Sequence, residues 1–269
     1  MRCSGKTLSW VVSVSVSVFL FSGCASAPKK QQTGLTSARF FQLQRDRAKA
    51  FLQTSGKVSL RYDGTHDSIS GKGRYLAGGK DQFRLEIRDP LGRLHYLAAL
   101  SQKSFQAQYP RQSKAYVDEQ GGRMYLRKLA GISSDFSGLV DLAVGIIPSG
   151  WSKNSFDKWE WDDSAGIYRG EAKLTSGDIT AEVDGATGTL VSFVVKNPAT
   201  VLQVKYSELE PCCDGFAIQQ TLARVAEVRW PQSKSSFEFE WNDLKLLEHQ
   251  PKEASFQPAL DDKWKITKF

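Results

Sequence analysis

The chain has 269 residues, 41% of them apolar, with fifteen Phe and seven Trp, which is enough for a sizeable core and excludes a disordered chain. Its formal charge of +7 comes from 36 basic and 29 acidic side chains spread along the sequence, a mild and dispersed excess that points away from nucleic-acid binding. The four cysteines include no C-x-x-C spacing, which argues against a zinc or dithiol redox centre.

Arg2 and Lys6 open the chain, and Leu8 to Phe21 follows as an apolar run interrupted only by serines. At about 14 residues the run is too short to span a bilayer comfortably, and it has the layout of a secretory signal. The segment Phe21-Ser22-Gly23-Cys24 resembles the lipobox of bacterial lipoproteins. That resemblance implies residues 1–23 as signal peptide, cleavage before Cys24, diacylglycerol on the Cys24 thiol and an acyl group on the new amine. The other reading is an ordinary signal cut near Ala25-Ser26-Ala27, which would discard Cys24. Ala25 stands where an aspartate would signal retention in the inner membrane, so the resemblance implies an outer-membrane anchor with the body in the periplasm. Loss of Arg2 and Lys6 lowers the 36 basic side chains to 34, against 29 acidic, a balance of +5.

Residues 24–36 are small, polar and proline-marked and read as a tether. Twelve extended residues reach roughly 40 Å. Ser37 to Thr54 has the period of a helix, with Phe40, Phe41, Ala48, Phe51 and Leu52 on one side and Ser37 in a capping position. After Gly56 the period switches to two. Val58-Leu60-Tyr62, Phe83-Leu85-Ile87 and Phe105-Ala107-Tyr109 alternate with polar residues, as antiparallel strands with one wet face do. Asp63-Gly64, Gly78-Gly79, Asp89-Pro90 and Pro110 mark turns between them. Leu94 to Leu100 is apolar on both faces, so its second face needs a cover or a lipid-like ligand.

Two helical segments interrupt the strands, Gly122 to Ala130 and Asp135 to Ile147. The second is apolar on most sides, so it is buried or plugs a cavity, and Pro148-Ser149-Gly150 is expected to end it. Alternation resumes at Phe156–Trp161, Ile179–Val183, Leu190–Val195, Val201–Tyr206, Ala223–Trp230 and Phe237–Trp241. The polar tail from Glu248 to Phe269 is expected to wrap the surface. The predicted class is α+β: a curled, incomplete antiparallel β-barrel of about 11 strands, with inserted helices closing it.

Chemistry is sparse. His66, His95 and His249 have no partner at metal-ligand spacing, and the chain lacks H-E-x-x-H, G-x-S-x-G, P-loop and G-x-G-x-x-G motifs. Asp162-Asp163 and Asp261-Asp262 read as solvated turn residues, and Gly71-Lys72-Gly73 as a bend or bulge in a strand. Adjacent Cys212 and Cys213 read as free thiols or a vicinal disulfide. No catalytic residue, metal ligand or cofactor is expected. Leu91, at the tip of Asp89-Pro90-Leu91-Gly92, is the odd residue, because a turn tip ordinarily carries polar side chains.

Three segments together resemble the LolA/LolB superfamily, its outer-membrane lipoprotein receptor in particular. They are Phe83 to Gly92, like that family's strand running into a P-L-G loop; Leu126 to Ile132, like its helix ending in L-x-G; and Leu139 to Trp151, like its second helix running into L-G-L-P. Weaker likeness covers residues 37–247, leaving 248–269 as an extension without counterpart, and Cys212-Cys213 also has none. The resemblance implies a curled sheet holding acyl chains in an apolar cavity, with Leu91 as a membrane-inserting residue. Leu85, Ile87, Tyr96, Leu142, Ile146 and Trp161 are the candidate cavity lining. It implies a non-enzymatic monomer that accepts lipoprotein acyl chains from a periplasmic LolA-like carrier and passes them to outer-membrane lipid. The alternative is a structural or envelope-component-binding lipoprotein with the same fold, a filled core and no transfer activity.

Overall fold

The computed structural model describes residues 34–64, 68–79, 81–130, 132, 134–198, 200–212 and 220–269. Helix α1 (Ser37–Phe51) leads into strands β1 (Thr54–Asp63), β2 (Ser68–Gly79), β3 (Gln82–Arg88), β4 (Leu94–Ser101), β5 (Ser104–Tyr109) and β6 (Lys114–Asp118). A helical insert follows, made of α2 (Arg123–Tyr125), a π turn (Leu126–Ala130) and α3 (Phe136–Ala143). The chain then returns to strands: β7 (Lys158–Asp162), β8 (Ile167–Leu174), β9 (Gly177–Asp184), β10 (Leu190–Asn197), β11 (Thr200–Cys212), β12 (Gln220–Trp230) and β13 (Ser235–Leu246). A short 3-10 turn (Glu253–Phe256) and β14 (Lys265–Lys268) complete it.

Among the described residues 14 strands form one sheet, ordered β14-β6-β5-β4-β3-β2-β1-β13-β12-β11-β10-β9-β8-β7. Every ladder is antiparallel except β14 on β6, which is parallel. The two hairpin series meet where β1 pairs with β13, Leu60 opposite Phe239 and Tyr62 opposite Phe237. This corrects the expected count of about 11 strands, and the sheet is open, with β14 and β7 as its edges. The strands that the alternation does not give are β2, β6, β8 and β14: β2 is interrupted by Gly71, Gly73 and Gly78, β6 is only five residues long, β8 has Gly170 between Tyr168 and Ala172, and β14 carries a single large apolar residue. Gly73 is a register requirement rather than a bend, because a Cβ there would fall 1.8 Å from the Glu86 carbonyl oxygen.

The core lies between one face of the sheet and the helices. Helix α1 buries Phe40, Phe41, Gln44, Arg47 and Phe51, a stripe at helical spacing. Its cap is Thr36 rather than Ser37: the Thr36 hydroxyl accepts from Arg39 N at 3.2 Å, while Ser37 Oγ accepts from Phe156 N at 2.6 Å. Phe40 stacks on Trp159 at 5.7 Å between centroids, and Phe51 stacks on Tyr75 at 5.8 Å. Arg47 donates to the Gly188 carbonyl at 2.8 Å and to Thr189 Oγ1 at 3.0 Å, which ties the helix to the β9–β10 turn.

Helix α3 starts at Asp135, whose carboxylate accepts from Gly138 N at 2.7 Å. It stops at Ala143, ahead of the expected Pro148-Ser149-Gly150, because Gly145 adopts the left-handed conformation (φ 76°). Tyr206 OH and Trp241 Nε1 donate to the Leu142 and Ala143 carbonyls at 2.8 and 2.7 Å, so the sheet caps the helix end.

The opposite face of β4 carries Leu97 and Ala99, both buried. Their cover is the C-terminal tail, not a ligand. Phe256 is 1% exposed and sits over Gly78, Arg84 donates to the Ser255 carbonyl at 3.0 Å, and Gln108 donates to the Ala259 carbonyl at 3.3 Å. The tail then joins the sheet edge, with Lys265 N donating to the Ser113 carbonyl at 2.7 Å.

Candidate functional site

Side chains from β1 to β6 and from β13 converge, under α2 and α3, on an apolar cavity of about 310 Å³. Leu60 and Tyr62, Phe83 and Leu85, and Phe237 and Phe239 form its sheet wall, each pair two residues apart on one strand as a single face requires. Phe136, Leu139 and Val140 of α3 form the roof. The exposed Gln112 and Lys114 stand at its border with solvent.

One polar feature interrupts this lining. The Tyr109 and Tyr125 hydroxyls are 2.8 Å apart, and Tyr96 OH is 3.4 Å from Tyr125 OH. Burial, followed by the neighbouring Tyr96 and Tyr109 hydroxyls, holds Tyr125 well above the usual phenol range, so Tyr125 stays neutral. Buried Asp118 positions Tyr125 by accepting from its backbone N at 2.9 Å, with Gln120 N on its other oxygen at 2.8 Å. All three rings belong to the cavity wall, and Tyr125 OH links the other two hydroxyls.

At the same end of the sheet, the β3–β4 turn projects Leu91, which is 76% exposed. The turn is held from beneath. Asp89 Oδ1 accepts from Leu91 N and Arg93 N, each at 2.9 Å, and Oδ2 accepts from Arg93 Nε at 2.9 Å and from Arg111. Burial raises the Asp89 carboxyl, but hydrogen bonds from Arg93 and the charges of Arg93 and Arg111 outweigh it and hold the group below the usual carboxylate range. Arg111 therefore joins the Leu91 turn to the segment that carries Gln112 and Lys114 at the cavity border.

Of the six lining residues expected from sequence, Leu85 and Tyr96 lie in the cavity wall. Ile87 is buried on the same face as Leu85 but lies against Gly71 and Gly73, beyond the cavity. Leu142 and Ile146 are buried elsewhere in the core, and Trp161 packs on Tyr168 at 4.9 Å in the β7–β8 hairpin. Sequence reasoning missed Tyr62, Tyr125, Phe136 and Phe237. Alternation put Phe237 and Phe239 on one face, but the β1–β13 pairing that brings them to the cavity is non-local.

Cys24, Cys213 and His66 lie outside the described residues. Among the described residues, no three His, Cys, Asp or Glu side chains cluster as a metal site, and no helix is long and apolar enough to cross a membrane.

An open, mostly antiparallel sheet with few helices, gathered about an apolar cavity, defines a LolA/LolB-like fold, here in divergent form. Solved structures agree. A putative outer membrane lipoprotein-sorting protein domain from Vibrio parahaemolyticus superposes with a TM-score of 0.55 at 11% identity, covering 82% of this chain and 95% of that one. A DUF1329 family protein from Desulfovibrio piger gives 0.52 at 12% identity, covering 82% and 96%. The LolA superfamily protein NE2245 from Nitrosomonas europaea gives 0.50 at 10% identity, covering 82% and 97%. No protein-family model and no curated protein matches the sequence.

Proposed function

We propose that this protein is a lipid-anchored envelope protein that accepts the acyl chains of a lipoprotein in its apolar cavity and passes them to the outer membrane. In this reading residues 1–23 are the signal peptide, Cys24 carries the anchor, residues 24–36 are the tether, and the body faces the periplasm as a monomer. The observation that carries the proposal is the cavity of about 310 Å³ beside a turn that presents Leu91 to solvent. The fold shared with the putative lipoprotein-sorting domain from Vibrio parahaemolyticus and the LolA superfamily protein from Nitrosomonas europaea supports the same direction.

The energetics suit transfer. Each buried CH₂ is worth about 0.8 kcal/mol. The volume sits at the lower end of the ~300–1,000 Å³ of small-molecule sites. A cavity of that size holds part of a lipidated N-terminus and competes poorly with a bilayer that buries every chain, so transfer runs downhill. It requires no catalytic group, nucleotide or cofactor, and a LolA-like carrier is the expected donor. Leu91 would mark where chains leave for the membrane.

The second reading is a structural or envelope-binding lipoprotein of the same fold without transfer activity. It draws on the β7–β8 region, where Phe40, Phe41, Phe156 and Trp159 stack and fill the interior. The test mixes the protein with a carrier-bound, fluorescently labelled lipoprotein and then with vesicles. Movement of label to the protein and on to vesicles supports transfer. No movement overturns it, and retention of label on the protein favours the second reading.

A further inference from the structure

Cations from three separate segments meet at the rim that carries Leu91. Arg93 comes from the β3–β4 turn and Arg111 from the β5–β6 connection, and both contact Asp89, whose single charge offsets one of them. Lys114 begins β6 at the cavity border, and the parallel register sets Lys265 of β14 directly beside it. Neighbouring strands are about 4.8 Å apart, and like charges in adjacent positions repel. Among the described residues neither lysine has an ion-pair partner. The two large apolar side chains most exposed among the described residues, Leu91 at 76% and Ile266 at 42%, belong to this turn and to β14.

An exposed leucine at a rim where Asp89 offsets one of two arginines and two adjacent lysines have no ion-pair partner among the described residues matches one kind of surface: apolar beneath, anionic above. We infer that this rim docks on an anionic lipid bilayer, with Leu91 between the headgroups and Arg111, Lys114 and Lys265 against their phosphates. The inference rests on the acyl-transfer reading, since it turns the cavity border toward the membrane that receives the chains. It also gives the C-terminal tail a task, because β14 brings Lys265 to the rim. Each cation close to an anionic surface adds about five-fold to partitioning, and the gain disappears within a Debye length as salt rises.

The test is residue-level footprinting of lysines with an amine-reactive reagent, read by mass spectrometry on the full-length protein with vesicles. Labelling of Lys114 and Lys265 is expected to slow about five-fold or more in anionic relative to zwitterionic vesicles and to recover in high salt. Lys103, in the β4–β5 turn at the opposite end of β4, serves as the internal reference. Equal labelling in both vesicle types overturns the inference. So does equal protection by inorganic phosphate with zwitterionic vesicles, which would mark an ion site instead of a lipid surface. Lipoprotein transfer measured on the same samples separates the two claims. Transfer without protection removes only the docking surface, and protection without transfer removes only the acyl-transfer reading.

Discussion

The indole Nε1 of Trp241 donates to the Ala143 carbonyl at 2.7 Å, joining β13 to the last turn of α3. Trp241 also stacks on Phe239 at 6.3 Å, and Phe239 and α3 are opposite walls of the cavity. This hydrogen bond, beside that of Tyr206 to the Leu142 carbonyl, ties the roof to the sheet. Trp241→Phe keeps an aromatic ring but removes the donor, at a cost of about 1–3 kcal/mol for the buried carbonyl, on top of the packing lost with the smaller ring. The expected outcome is a lower denaturant midpoint at unchanged m-value, with faster amide exchange in 136–147 than in the sheet.

A second prediction concerns the cavity wall. Leu139→Trp fills the space under α3, with an overpacking cost of about 1–3 kcal/mol. Binding of a fluorescent fatty-acid probe is expected to fall about ten-fold or more. Leu142→Met is the matched control, because Leu142 lies outside the wall, and a volume-conserving change costs under about 1.5 kcal/mol and leaves binding intact. Equal loss in both variants would mean that the probe binds elsewhere.

The sequence-derived expectations divide according to the range of the interactions behind them. Alternation in Phe83, Leu85 and Ile87, the helix over Phe40 to Phe51 and the Leu91 turn are local, and all three are readable from neighbouring residues. The wall of the cavity is not local. Tyr62 and Phe237 are far apart in the chain and joined by the β1–β13 ladder, and Phe136 comes from α3 to pack on Phe83 and Phe105. Periodicity also reports which face a residue occupies but not how far along the strand the cavity extends. Leu85 and Ile87 share a face, yet Ile87 closes over glycines while Leu85 meets open space. Strand β2 was hidden because Gly71 and Gly73, which lie against the β3 backbone, interrupt its apolar alternation between Ile69 and Tyr75.

The Leu91 turn carries a pH prediction. The Asp89 carboxyl sits below its unfolded value of about 3.9, held there by Arg93 and Arg111. The folded state then binds fewer protons than the unfolded one between those two values. The stabilisation of the turn is complete above the unfolded value and is lost as pH falls through the lower, folded one. Protection of the Leu91 and Arg93 amides, taken as exchange relative to an unstructured amide at the same pH, is therefore expected to persist through the ordinary carboxylate range and to be lost only at lower pH. Asp89→Ala, which removes both the acceptor of the two amides and the anchor of the two arginines, is expected to leave both amides unprotected across that range.

Phe256 reports on the tail as a cover for β4. Its ring is buried over Gly78, beside the face that carries Leu97 and Ala99, and its backbone neighbourhood is tied down by Arg84. Phe256→Ala removes a buried aromatic side chain, a loss of about 3–5 kcal/mol when the site cannot collapse. The tail has one face to lose, so it is expected to detach locally while the sheet stays folded. Limited proteolysis should then cut within 248–264 much faster than in the parent protein, and a dye that binds apolar surface should report the uncovered β4. Detachment also removes Lys265 from beside Lys114. An unchanged proteolysis pattern would mean that β14 and Phe269, stacked on Tyr116 at 6.0 Å, hold the tail without Phe256.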